Sequence, residues 1–190
     1  MVLTTVPIEQ LASDKITPIH HLLDDGELAA IERRFFAPQD DLRGEIAEFF
    51  RRDCFYAGKT LTSRDDILMF LTGELRAKGL MDAAEQASVF EREKASPTEI
   101  GHLVAIPHPI YAAPVRSTIA VLTLEKPVVW EAQRVQVVFL ISIAKTQLLH
   151  WQTIFLKLFD YLVKQDGVLE ILRHPTYDDF LQSFTQAMEK

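Results

Sequence analysis

The stretch FEREKASPTEIGHLVAIPHPI, residues 90–110, sets His108 between Pro107 and Pro109, directly after the apolar run Leu103 to Ile106. Proline fixes its own φ at about −65° and pushes the residue before it toward extended geometry. The spacing therefore predicts a strand that stops abruptly and aims one imidazole from its end. Neutral imidazole, with a pKa of about 6.5, is a competent nucleophile when one nitrogen is free and the other is held in a fixed tautomer. Spacing alone leaves two readings of His108 open, a satisfied turn histidine and a nucleophile. His150, in QLLHWQTIFLKL, falls at the flank of an apolar helical stripe. It is either a surface histidine or a second imidazole that donates a hydrogen bond to whatever group His108 carries. Arg92, in EREK, reads as a member of a solvated charge run or as a planar guanidinium fork suited to phosphate.

Other chemistries find little to work with. His20 and His21 are adjacent and point opposite ways on a strand, and His102 and His108 flank a strand too short to bring both to one ion. No C-x-x-C, H-E-x-x-H or acidic calcium loop occurs, nor a G-x-S-x-G elbow or a glycine-rich nucleotide loop, so neither a metal nor a cofactor is expected. The single Cys54 excludes an internal disulfide framework and reads as a small core residue in a reducing cytoplasm. A net charge of −7 without any basic cluster argues against a nucleic-acid or anionic-membrane surface. The apolar run VQVVFLISIA (135–144) falls far short of the ~20 residues of a membrane span, and the opening MVLTTVPIEQ lacks the form of a secretory signal.

The elements that must position these residues alternate helix and strand. Ser63 with Asp66 starts a helix carrying Ile67, Leu68, Leu71 and Leu75, which Gly79 closes; Asp82 with Glu85 opens a second, running to about Arg92. Strands follow at 103–106, 118–124 and 135–144, the last two nearly continuous apolar runs of the kind covered on both faces. A long helix at about 147–163 aligns Leu148, Trp151, Phe155, Leu158, Phe159 and Leu162, and Thr176 with Asp179 caps a last helix bearing Phe180, Leu181 and Phe184. The expected fold is α/β, a layered α/β/α sandwich with a central mixed β-sheet flanked by helices. Before it, residues 2–8 suggest a short strand and 24–35 a short helix, with a soft boundary near 36–41.

REKASPTEIGHLVAIPHP resembles the EIIA domain of the mannitol/fructose type (EIIA type 2) in the bacterial phosphoenolpyruvate-dependent sugar phosphotransferase system. Glu93, Ile100, Gly101, Val104, Ala105, Ile106, Pro107 and His108 fill the places of that family's pattern, with Pro109 standing where a small residue is usual. The resemblance covers about residues 41–190 and implies that His108 accepts a phosphoryl group from the phosphocarrier HPr. It implies too that His150 and Arg92 stabilise the added charge. SPTEIGHLVAIPHP looks most similar to EIIA-like domains at the C-terminus of sugar-operon regulators of the antiterminator/activator type. By that likeness residues 1–40 are a linker and the tail of an upstream EIIB-like module, and the chain regulates transcription without touching nucleic acid or entering the membrane itself. An EIIB domain is a further possible partner, and an oligomer is compatible with this reading. The rival readings are a free EIIA component that passes phosphate to a sugar-specific EIIB, and a histidine-nucleophile phosphohydrolase. The latter needs further acid/base residues near the histidine, and none is apparent.

Overall fold

The computed structural model describes residues 2–4, 16–18, 42–111, 114, 116–164 and 166–189. Two compact units divide the chain, Met1–Leu42 and Arg43–Lys190. In the first, β1 (Val2–Thr4) pairs in parallel with β2 (Ile16–Pro18). The helix expected at 24–35 and the boundary expected at 36–41 lie outside the described residues.

Helix α1 (Leu42–Phe49), all but its first residue in the second unit, runs directly into β3 (Phe50–Lys59). Helices α2 (Arg64–Ala77) and α3 (Ala83–Ala95) follow, then the short strands β4 (Glu99–Gly101) and β5 (Val104–Ala105). The long hairpin β6 (Thr118–Val129) and β7 (Arg134–Ser142) leads into α4 (Leu148–Lys164), α5 (Gly167–Arg173) and α6 (Tyr177–Met188). The five strands form one mixed sheet in the order β3-β6-β7-β5-β4. β3 runs parallel to β6 and β5 parallel to β7, while β6/β7 and β4/β5 are antiparallel.

Alternation along β6 and β7 sorts their side chains into two layers. Ala120, Leu122, Val138 and Leu140 cluster with Ile67, Leu68, Leu71 and Leu75 of α2 and Val89 of α3. On the other face Phe139 meets Phe50 and Phe180 edge-on or tilted, and Phe180 stacks on Phe184. The expected α/β/α layering is therefore the observed one. Fully burying each such side chain is worth about 1.5–3 kcal/mol.

Local chemistry sets the boundaries. Ser63, Asp82 and Thr176 each accept a hydrogen bond from the backbone N–H three residues on, which caps α2, α3 and α6 where the sequence places the caps. At the end of α2, Gly79 turns left-handed (φ 67°), its N–H donates to the Arg76 carbonyl, and the Leu80 N–H donates to that of Leu75. β6 runs past the expected residue 124 because a register shift between Thr123 and Val128 absorbs Pro127, which has no N–H for the ladder. β5 is shorter than the expected 103–106 because Gly101, His102 and Leu103 all take positive φ and turn the chain sharply between β4 and β5.

Candidate functional site

Three elements converge on His108. Strand β5 ends three residues before it, and Pro107 is fixed in turn because its carbonyl accepts from the Ile141 N–H of β7 (2.9 Å). Arg92 comes from the last turn of α3. The start of α4 supplies an apolar wall of Leu148, Trp151 and Phe155. His108 thus projects, half-buried, from a strand end into a groove of about 460 Å³, where Arg92 is a second polar lining residue and Phe159 extends the apolar wall.

Both ring nitrogens of His108 are occupied, and differently. Nδ1 lies 2.9 Å from the Ile106 carbonyl oxygen, and since a carbonyl can only accept, Nδ1 carries the proton. Nε2 accepts from the Arg92 Nε–H at 3.2 Å, so its lone pair faces a cation. Arg92 is itself anchored, its Nη1 donating to the Ser96 carbonyl at 2.6 Å while the Ser96 N–H donates to the Arg92 carbonyl. The ring is therefore held in one tautomer, with Nε2 the nitrogen that keeps its lone pair. A half-buried guanidinium stands where a transferred anion would need it.

Beneath this contact lies a polar frame. Glu93, 3% exposed, accepts from the Thr98 N–H (3.0 Å), the Thr98 hydroxyl (2.6 Å) and the Trp130 indole N–H (2.6 Å). The Thr98 carbonyl in turn accepts from the Ile106 N–H (3.0 Å). Glu99 takes the backbone N–H groups of Glu131, Ala132 and Gln133 in the β6–β7 turn. Burial pushes the Glu99 carboxyl up, but those N–H groups and the Arg64 charge outweigh it and hold the group below its usual range.

Of the residues expected to form a site, the structure brings His108 and Arg92 into direct contact. His150 sits exposed in the first turn of α4 beside Leu148 and Trp151, which line the groove, and is not one of the lining side chains. The stripe expected on this helix divides. Trp151, Leu158 and Leu162 are buried with Ile154 and Tyr161, whereas Leu148 and Phe159 remain 45% and 38% exposed at the groove. Sequence reasoning missed Thr98 and Trp130, whose separation from Glu93 carries no periodic signal. Cys54 is buried, and burial, with the Asp53 charge, pushes its thiol up to about 11, which suits a core residue and not a nucleophile. Among the described residues no group of three or more His, Cys, Asp or Glu could hold a metal ion, and no helix is long and apolar enough to cross a membrane.

Residues 48–187 match the family described as phosphoenolpyruvate-dependent sugar phosphotransferase system, EIIA 2. The probable licABCH operon regulator of Bacillus subtilis is 28% identical over 98% of this chain, which spans 28% of that protein. The transcriptional regulator ManR of the same organism is 31% identical over 56% of this chain, a stretch that makes up 16% of ManR. Among solved structures, the nitrogen regulatory protein IIA-Ntr of Neisseria meningitidis superposes with a TM-score of 0.64 at 18% identity, over 74% of this chain and 99% of that one. The mannitol enzyme IIA of Escherichia coli, in its complex with phosphorylated enzyme IIB, gives 0.59 at 15% identity over 73% and 99%. At such identities these structures show the shared fold.

Proposed function

The chain belongs to the EIIA 2 family of the phosphoenolpyruvate-dependent sugar phosphotransferase system, and from that premise we propose that His108 is its phosphoryl acceptor, through Nε2. It is an EIIA-type domain homologous to sugar-operon regulators, which favours a regulatory role over that of a free EIIA transport component. The observation that carries the assignment is the asymmetric hold on the ring: Nδ1–H on the Ile106 carbonyl, Nε2 open to Arg92.

In the transfer, the Nε2 lone pair attacks phosphorus as the P–N bond of a donor phosphohistidine breaks, its electron pair returning to the donor ring. The His108 ring takes on positive character, which strengthens its Nδ1–H bond to Ile106. Arg92 must turn from the lone pair to the incoming phosphoryl oxygens, whose charge of about −1.5 to −2 its fork neutralises. Little other covalent work is needed, since phosphoryl transfer rests on in-line placement and charge stabilisation. His150 assists from the α4 side once the phosphoryl group extends the reach of the site.

HPr is the donor in this reading. Exposed Ile110, Tyr111, Leu148 and Phe159 suit docking of a protein partner, and an EIIB domain is the alternative one. Residues 1–40 serve as a linker and the tail of an upstream EIIB-like module, and the phosphorylation state of the domain is passed in the cytoplasm to the remainder of a longer transcription regulator. The test is incubation with phosphoenolpyruvate, the general phosphotransferase enzyme and HPr. The wild-type chain should yield an acid-labile phosphoprotein and His108→Ala none; a labelled His108→Ala variant removes the assignment.

A further inference from the structure

We infer that Glu93 is a positioning residue that sets the tautomer of His108 and so selects Nε2 as the accepting atom. The proposal rests on the reading of His108 as the phosphoryl acceptor, and concerns a residue that touches neither the imidazole nor a phosphoryl group.

A carboxylate this deeply buried is costly unless every lone pair it presents finds a donor. Glu93 is satisfied by neutral donors, two from Thr98 and one from Trp130. They come from two segments. Thr98 lies between α3 and β4, and Trp130 opens the turn between β6 and β7, whose N–H groups Glu99 also holds. One carboxylate thereby ties Thr98 both to its own helix and to the hairpin, while Arg92 holds Ser96.

The clamp reaches His108 along two routes. In the first, the Thr98 carbonyl receives the Ile106 N–H at 3.0 Å, and the Ile106 carbonyl receives His108 Nδ1–H at 2.9 Å. Ile106 lies beyond the last β4–β5 ladder pair, so this bond to Thr98 is what fixes its peptide on that side. On the other side the Pro107 carbonyl is tied to β7 through Ile141. In the second route, Arg92 precedes Glu93 in α3, and its Nη1 rests on the carbonyl of Ser96, two residues before the clamped Thr98. Moving the 96–98 segment therefore disturbs the partner of Nδ1 and the anchor of the arginine that meets Nε2. A hydrogen bond depends steeply on its angle, so a small tilt of the Ile106 peptide is enough to release the Nδ1 proton to the other nitrogen.

The donor pattern also defines a conservative replacement. In Glu93→Gln the amide oxygen still accepts from the Thr98 N–H and the Trp130 N–H, and the amide nitrogen donates to the Thr98 hydroxyl, which can accept. Glu93→Leu fills similar space and accepts nothing.

The test compares the full-length wild type, Glu93→Gln and Glu93→Leu by two readouts. The first is ring-nitrogen ¹H–¹⁵N NMR of His108 in the resting protein, which reports the tautomer. The second is the rate of HPr-dependent phosphorylation with the phosphohistidine isomer resolved. Wild type and Glu93→Gln should show the Nδ1–H tautomer, the Nε2 isomer and rates within about twofold of each other. Glu93→Leu should show mixed tautomers, a share of Nδ1 isomer and a rate about tenfold lower, as expected for the loss of one well-made hydrogen bond at the site. A Glu93→Leu protein that keeps the single tautomer overturns the proposal, whether or not its rate falls, because slowing without a tautomer change assigns Glu93 a structural role alone. If Glu93→Leu does not fold, Thr98→Val, which removes one donor, decides by the same readouts: a tautomer shift supports the inference and an unchanged ring rejects it. Absence of any His108 phosphorylation in the wild type would defeat the proposed function, and the resting-state NMR would still decide the role of Glu93.

Discussion

Phe50, Phe139, Phe180 and Phe184 meet ring on ring between β3, β7 and α6, with centroids 5.2 to 6.4 Å apart. At the β4 edge of the same sheet, the buried Glu93, Thr98 and Trp130 are joined by hydrogen bonds. The burial of apolar surface is non-directional, so most of what the first region contributes does not depend on where any one ring points. Hydrogen bonds fix angles, so the second region gives up apolar burial and gains a defined direction for one imidazole. With His108 in its proposed role, stability and reactivity are thereby separated within one domain. Mutations should separate along the same line.

The largest expected effect belongs to the aromatic side. Phe180→Ala should cost about 3–5 kcal/mol in urea unfolding, because it removes a ring, 1% exposed, that touches Phe50, Phe55, Phe139 and Phe184. Its folded fraction should still accept phosphate on His108. His108→Ala should do the opposite, with phosphorylation abolished and stability changed by less than about 1 kcal/mol, since the ring is half-buried and packs no core. If Phe180→Ala, assayed at a temperature where it is folded, lost phosphorylation altogether, the separation would fail.

A smaller effect tests how the helical layer is closed. Gly167 opens α5 so near α4 that an added Cβ would lie 2.6 Å from the Tyr161 ring and from its backbone oxygen. The backbone oxygen cannot swing away as a flexible side chain would. Gly167→Ala should lower stability by about 1–3 kcal/mol through overpacking, with the phosphorylation rate of the folded protein unchanged. Thermal unfolding and the HPr-dependent assay check both halves.

Several of these features were legible in the sequence and others were not, for identifiable reasons. The caps at Ser63, Asp82 and Thr176 were, because capping is chemistry between residues three apart. β6 and β7 were as well, since strands buried on both faces are written as apolar runs. β3 was not read: FRRDCFYAGK mixes four charged residues into an edge strand, and along it only Phe50 and Cys54 are buried. The short α5 escaped for want of a periodic stretch, lying between left-handed Asp166 and Pro175. At the site, spacing identified the rigid His108 but left its role open. Arg92 stands 16 residues away, and only the family resemblance joined the two before the structure did.

His150 sharpens the comparison from the groove side. It is exposed beside Leu148 and Trp151, so its truncation should leave stability unchanged. In the role proposed for it, His150→Ala should slow phosphorylation or shorten the phosphoprotein half-life severalfold, a loss of about 1 kcal/mol, the usual net worth of one partly solvated hydrogen bond. Unchanged kinetics on both counts would return His150 to the solvent-exposed surface and leave the charge to Arg92.

The smallest effect is electrostatic and sets Glu99 against Glu85. Glu99 is held below its usual range because three backbone N–H groups outweigh burial. Its folded pKa is lower than its unfolded one, so the folded state is favoured above about pH 4.3, the ordinary glutamate value, and the benefit disappears as pH falls through the folded pKa. Glu85, on α3 beneath the sheet end, is pushed up mainly by burial, against the hydrogen bond it receives from Ser142 and with Asp82 adding to the rise. There the unfolded chain releases its proton first, so stability declines as pH climbs from the unfolded value through the higher folded one. Glu99→Gln should therefore be less stable than wild type at neutral pH and converge with it in acid. Glu85→Gln, whose amide oxygen can still accept from Ser142, should match wild type in acid and equal or exceed it at neutral pH. Each difference should be below about 1 kcal/mol, since one group is partly solvated and the other retains its partner. Urea midpoints measured from about pH 3.5 to 7.5 should thus diverge in opposite directions for the two variants. Curves that both fall below wild type at neutral pH would mean that Ser142 rewards the charge of Glu85 by more than burial penalises it.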